Sequence, residues 1–283
     1  MNHPLLADLT TQLSPISDTP ALDASVLLAH IIDKPRTWVM AHPDLALTCD
    51  QQKELADSLE RLERGEPFPY VLGHWEFFGL ELDVTPDVLI PRPETELLVE
   101  KAIVWLQESS TPRTIADVGT GSGAIAVALA ANIPDVHILA TDISKKALEV
   151  AKKNARKFKV EKRIDFVECD LLPANSSFMH LTPPVDLICA NLPYIPTETL
   201  RHLPIFGREP TLALDGGADG LELVRRLLSL APEWLAPYGM MLLEVESSCA
   251  KQTLELAHNM FPEARINLHQ DLARRDRLLE III

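Results

Sequence analysis

Thr114–Asn132 reads TIADVGTGSGAIAVALAAN. Thr114–Val118 is an apolar strand pattern, and Asp117-Val118-Gly119-Thr120-Gly121-Ser122-Gly123 follows with glycine at every second position from 119. Glycine is needed where the backbone turns sharply and approaches a ligand closely. Gly123–Asn132 then reads as a small-residue helix, whose first turn has unpaired N–H groups to offer. Strand, glycine turn and helix in that order open a unit of an α/β sheet.

The same alternation continues downstream. The pattern predicts strands at Val136–Ile143, Ile164–Cys169, Val185–Ala190, Met240–Val245, Ala264–Leu268 and Arg277–Ile283. It predicts helices at Ser144–Phe158 (capped by Ser144), Gly220–Trp234 and Cys249–Met260. Alternating strands and helices build a mainly parallel sheet covered on both faces. Ligands of such sheets sit beyond the carboxyl ends of the strands, near the switch point.

Upstream the texture differs. Ala21–Ile32 and Asp50–Glu63 carry apolar residues at helical spacing, with Asp18 or Thr19 as a cap before Pro20 and Gly65 as a stop. Such short helices must pack on one another, so residues 1–65 should form a small bundle. Tyr70–Leu89 is aromatic and partly alternating, with breaks at Gly73, Gly79 and Pro86, and reads as a β-hairpin. Ile90-Pro91-Arg92-Pro93 cannot lie inside a helix, so the next helix should begin near Glu94 and run towards Gln107.

Composition narrows the class. The chain has 283 residues, a hydrophobic fraction of 47% and a formal net charge of −15. It can bury a sizeable core and does not read as disordered. No apolar run is long enough to span a bilayer, and MNHPLLADLT does not read as a secretory signal. Cys49, Cys169, Cys189 and Cys249 lie far apart, which suits a reducing cytoplasm and indicates no zinc site. His74 and His202 show no ligand or triad spacing, so no metal is expected. Residues 1–88 hold 15 Asp and Glu against 5 Lys and Arg. That surplus repels a phosphate backbone and suits either solubility or a protein partner with a basic face.

Two strand ends carry carboxylates that point to a nucleoside. Asp142 ends the second strand of the sheet and can accept bonds from both ribose hydroxyls of an adenosine. Asp170 ends the third and can accept from the exocyclic amine of adenine, although an Asp there also serves as a cap. Gly121, Gly123 and Ala126 also satisfy the looser spacing of a nicotinamide dinucleotide site. The fourth strand end, Asn191-Leu192-Pro193-Tyr194, favours a different chemistry. Asn191 and Pro193 offer oxygens, Pro193 stiffens the loop, and Tyr194 offers a flat wall. Two fixed acceptors beside an aromatic face suit a substrate –NH2 on a planar carbon. They favour the pyramidal nitrogen of the transition state, as preorganised polar stabilisation rather than general-base catalysis.

VGTGSGAIA, TDIS and NLPYIP together resemble the S-adenosylmethionine-dependent amino-methyltransferases with a Rossmann-like seven-stranded fold. LIPRPETELLVE (Leu89–Glu100) and REPTLALDGGADGL (Arg208–Leu221) are similar to the peptide-chain release factor glutamine N5-methyltransferases, the HemK-type family. The resemblance runs from about Gly65 to about Glu246. It implies a helical substrate-docking domain at 1–68, a β-hairpin linker at 69–90 and a methyltransferase domain at 91–283. It implies that Gly119, Thr120, Gly121, Ser122 and Gly123 wrap the methionine part of S-adenosyl-L-methionine. Asp142 would then hold the ribose, and Asp170 with Leu171 would border the adenine. Asn191 would touch both cofactor and substrate, with Leu192, Pro193 and Tyr194 completing the substrate site. Asn191, Pro193 and Tyr194 carry the expected catalytic roles. Arg92, Glu94, Glu209-Pro210 and Gly216-Gly217 would border or shape the mouth, with interdomain structure the plainer reading for Arg92 and Glu94.

The implied substrate is the glutamine of the Gly-Gly-Gln motif in class 1 peptide chain release factors, reached by a cytoplasmic monomer without direct nucleic acid or membrane contact. A ribosomal-protein glutamine and adenine N6 in nucleic acid suit the same constellation. The acidic balance weighs against nucleic acid. An oxidoreductase, or a silent binding module, would leave Asn191–Tyr194 without a role. Leu192 departs from the more usual Asn-Pro-Pro-Tyr, restoring an N–H and a freer φ while keeping an apolar contact.

Overall fold

The computed structural model describes residues 5–108, 113–173 and 184–283. The chain forms two compact units, Met1–Gly73 and His74–Ile283.

The first unit is helical: α1 (Leu5–Leu13), α2 (Pro20–Ile32), α3 (Arg36–Ala41), α4 (Cys49–Glu63) and α5 (Phe68–Leu72). Leu9, Leu13, Leu27, Leu28, Ile31 and Val39 fill its interior. Thr19 precedes α2 without a side-chain capping bond. Helix α4 starts on a capping box instead, with Thr48 and Gln51 each bonding the other's backbone N–H. The hairpin expected over Tyr70–Leu89 is confined to β1 (His74–Phe77) and β2 (Leu80–Asp83). Phe68–Leu72 winds into a helix because Pro69 is tolerated in a first turn and Gly73, at φ +76°, ends it. Arg61 of α4 fastens that turn. It forks onto Glu66 at 2.6 and 2.8 Å and donates to the Tyr70 and Val71 carbonyls. The division between the compact units falls after Gly73.

In the second unit, a turn of 3-10 helix at Pro93–Thr95 leads into α6 (Glu96–Gln107). The alternating part follows as β3 (Arg113–Val118), α7 (Ala124–Asn132), β4 (Val136–Asp142), α8 (Lys145–Lys157), β5 (Ile164–Glu168) and β6 (Val185–Ala190). It continues through α9 (Thr197–Leu200), α10 (Glu222–Trp234), β7 (Leu235–Glu244), α11 (Ala250–Met260), β8 (Arg265–Gln270) and β9 (Asp276–Ile282). The sheet has seven strands in the order β5-β4-β3-β6-β7-β9-β8. Strands β5 to β7 pair in parallel, and β9 pairs antiparallel with both β7 and β8.

Two apolar layers sandwich this sheet. Ile115 of β3 faces one layer, and Ala116 and Val118 face the other. Ala124–Ala130 of α7 is buried throughout, so small side chains let that helix approach the sheet closely. Each fully buried Leu or Ile of these layers contributes roughly 1.5–3 kcal/mol relative to exposure. The strand order reverses between β3 and β6, which opens a cleft above their carboxyl ends.

The hairpin is tied to the sheet domain through Asn154 of α8, which is fully buried. Its Oδ1 accepts from Asp83 N at 2.7 Å, and its Nδ2 donates to the Asp83 and Ser122 carbonyls, both at 2.9 Å.

Candidate active site

The glycine turn is held from below. Gly119 N and Thr120 N donate to the Thr141 carbonyl at 2.9 and 2.8 Å. Asp117 is fully buried, and its Oδ2 accepts from Thr120 Oγ1 at 2.6 Å and from Ala126 N at 3.1 Å. Its Oδ1 is buried without a partner among the described residues. Burial pushes this carboxyl up to about 7. Gly119 sits at φ +73°, and a Cβ there would meet Leu192 Cδ2 at 3.3 Å. The turn and the Asn191 loop therefore pack directly on each other.

Asp142, at the end of β4, accepts from Gly121 N at 2.9 Å and Ser144 N at 2.8 Å. Burial raises its pKa, and the two N–H bonds oppose the rise. Beyond β5, Leu171 adopts φ +61°, a conformation that costs a branched residue of order 1–3 kcal/mol. Thr141 Oγ1 holds it by donating to the Leu171 carbonyl at 2.6 Å. Asp170 is exposed and paired with Arg226 of α10 at 2.7 Å through Oδ2.

One pocket gathers Gly119, Gly121, Asp142, Asp170, Leu171 and Asn191 among its lining residues. A second, smaller pocket is lined by Arg92, Asn191, Leu192, Pro193, Tyr194 and Ile205 among others. Asn191, Leu192 and Pro193 line both, and so form a shared wall. Thr120, Ser122 and Gly123 do not line the first pocket: Thr120 and Ser122 are buried in the turn, and a Cβ on Gly123 would press on Ala151 of α8 at 3.0 Å.

The Asn191 loop is braced by residues that no local pattern exposes. Asn191 Nδ2 donates to Thr95 Oγ1 at 2.9 Å, and Thr95 Oγ1 donates to Glu244 Oε2 at 2.6 Å. Thr95 and Glu244 are 4% and 3% exposed. Desolvation pushes the Glu244 carboxyl up to about 7. Tyr194 is pushed up to about 12, mainly by burial, so it stays a neutral wall. Gly216 backs the loop, since a Cβ there would lie 2.8 Å from the Pro193 carbonyl oxygen. Arg92 is not an isolated cation, because its Nη2 donates to Glu209 Oε1. Among the described residues no group of three or more His, Cys, Asp or Glu is placed to hold a metal ion, and no helix is long and apolar enough to cross a membrane.

This topology and a two-pocket cleft at its switch point define a Rossmann-like methyltransferase. A family model described as "Methyltransferase domain" matches residues 115–203, and one described as "PrmC N-terminal domain" matches residues 4–73. A methyltransferase from Pyrococcus furiosus shares the fold, with a TM-score of 0.52 and 15% identity over 83% of this chain and 98% of its own. A release factor glutamine methyltransferase of Coxiella burnetii is 41% identical over 84% of this chain and 83% of its own. One of Moorella thermoacetica is 39% identical over 92% and 90%. The chain belongs to the release factor glutamine methyltransferase family.

The methyl donor of such enzymes is S-adenosylmethionine, and the first pocket fits it. Each Asp142 oxygen keeps a further acceptor site for a ribose hydroxyl. Asp170 Oδ1 is left able to accept from an exocyclic amine, and Ile143, Leu171 and Leu223 are the apolar lining that would border a base. A side chain at Gly119 would press on Leu192 and touch the backbone of Asn191.

Proposed function

We propose that this chain methylates the side-chain amide nitrogen (N5) of the glutamine in the Gly-Gly-Gln motif of class 1 peptide chain release factors. The observation that carries the reading is the wall shared by the two pockets. Asn191 and Pro193 border the donor's pocket on one side and the Tyr194-lined pocket on the other. Bound S-adenosylmethionine supplies a methyl group on a positively charged sulfur.

The chain's residues then have separable roles. Asp142, Asp170, Leu171 and the Gly119–Gly123 turn bind and orient the nucleoside and its methionine part. Asn191 Oδ1 and the Pro193 carbonyl accept the two N–H protons of the glutamine amide. These bonds weaken the delocalisation that makes an amide a poor nucleophile. Tyr194 packs on the planar group and excludes water. No side chain has to remove a proton before the methyl group moves.

We assign docking of the release factor to the helical unit, and its acidic surplus supports that reading. The reading places the reaction in the cytoplasm, and the free cysteines agree with it. Incubating the protein with S-adenosylmethionine and purified class 1 release factor should add one methyl group to one glutamine, located by mass spectrometry. A release factor left unmodified, with the mark on a ribosomal protein or on adenine in nucleic acid instead, would replace this substrate.

A further inference from the structure

The Asn191 carboxamide is useful in one orientation and harmful in the other. With Oδ1 towards the substrate it accepts an N–H. Turned by half a revolution, it sets N–H against N–H. Something must choose between the two, and the chain Asn191–Thr95–Glu244 can do so.

Thr95 has one hydroxyl proton and lone pairs that accept. An ionised Glu244 can only accept, so the Thr95 proton points to Oε2 at 2.6 Å. The Thr95 oxygen is then available to its other neighbour only as an acceptor. Asn191 must meet it with Nδ2, at 2.9 Å, and no donor among the described residues reaches its Oδ1. The parts come from three elements. Asn191 follows β6, Glu244 ends β7, and Thr95 closes the 3-10 turn before α6. Strands β6 and β7 are paired up to Ala190 and Leu243, so the two polar residues leave adjacent strand ends together.

We propose that Thr95 and Glu244 are positioning residues that fix the Asn191 carboxamide with its oxygen facing the substrate nitrogen. This rests on the role given to Asn191 above. A protonated Glu244 can donate to Thr95 instead. The Thr95 proton is then released to donate to Asn191 Oδ1, which turns the amide the wrong way. The orientation therefore depends on the charge of Glu244. The groups facing that carboxyl are Thr95, Arg92 and Glu94 from the turn before α6, Arg277 from β9, and the Tyr194 phenol. Arg277 and Arg92 favour the ionised form, Glu94 opposes it, and burial opposes it most. The balance lies at about 7, inside the range where an enzyme can be assayed.

The test uses the full-length protein, S-adenosylmethionine and a purified class 1 release factor. Thr95→Val should lower kcat roughly tenfold to a hundredfold, less than loss of the stabilising group itself. KM for the release factor and calorimetric binding of S-adenosylhomocysteine should change little. Thr95→Ser keeps the hydroxyl and should restore the rate. In an Asn191→Ala background, Thr95→Val should add nothing further. The wild-type kcat should fall as the pH drops through about 7, and Glu244→Gln should flatten that limb. Full activity of Thr95→Val beside an inactive Asn191→Ala would overturn the relay while leaving Asn191 in place. Full activity of Asn191→Ala would overturn the role of Asn191 itself. Multiplying effects in the double variant, or a wild-type kcat that stays level well below the titration point, would also overturn the relay. If Thr95→Val does not fold, the Thr95→Ser rate and the wild-type pH profile still decide.

Discussion

Arg92 Nη2 meets Glu209 Oε1 at 2.6 Å, although 117 residues separate them in the chain. Glu209 is buried, and its second oxygen accepts from Ile90 N at 3.1 Å. One carboxylate thus clips the proline-rich segment before α6 to the loop before Thr211. Arg92 is part-exposed, so water screens some of its attraction. Arg92→Ala would leave Glu209 with the Ile90 N–H and should destabilise the fold by about 1–3 kcal/mol. The double variant with Glu209→Ala should recover part of that loss. Urea unfolding midpoints check both, and an unmoved midpoint for Arg92→Ala would show the pair to be idle.

Gly216→Ala should act on the reaction more than on cofactor binding. Its Cβ would lie 2.8 Å from the Pro193 oxygen and equally near the Gly220 backbone, so the loop must shift. A displaced acceptor should lower kcat at least about tenfold, with S-adenosylhomocysteine binding retained. Steady-state kinetics and calorimetry on the same preparation separate the two.

Asp142→Asn should show the opposite split. The substitution puts an N–H2 where one oxygen now accepts from Gly121 N or Ser144 N. It also removes charge from the hydrogen bonds expected with the ribose. S-adenosylhomocysteine should bind roughly ten- to a hundredfold more weakly, as for loss of a charge-assisted bond. Unchanged affinity by calorimetry would take the ribose away from Asp142.

Stability should fall as the pH rises from the ordinary carboxylate range towards neutrality. Asp117 is held up to about 7 in the fold, far above its value in an unfolded chain. A raised carboxyl contributes stability that is complete below the ordinary carboxylate range and lost as the pH climbs through the raised value. The wild-type melting temperature should therefore drop between about pH 4 and pH 7 more steeply than that of Asp117→Asn. Parallel slopes for the two proteins would contradict the shift.

Much of the sheet is legible because its signals are local. The glycines at 119, 121 and 123, the apolar run Leu187–Ala190 of β6 and the small residues of α7 each carry their own pattern. Helix α5 is missed because FPYVL, aromatic and β-branched, resembles strand, and its stability comes from Arg61 several residues upstream. Asp142 and Asn191 stand out as polar residues at strand ends, and both line the cleft. Thr95 and Glu244 do not stand out. They lie 96 residues before and 53 after Asn191 in a polar contact with no periodicity, and the proline-rich surroundings of Thr95 read as a helix start alone. The pairing of Asp170 with Arg226 is equally long-range, spanning 56 residues.

Asn154 reads both sides of the Asp83 peptide backbone while also holding the carbonyl of Ser122. The hairpin is consequently no detachable ornament of the enzyme's second half. A shortened protein engineered to begin after Asp83 would strand a buried carboxamide directly behind the glycine turn. A minimal version meant to keep that carboxamide paired has to retain Asp83.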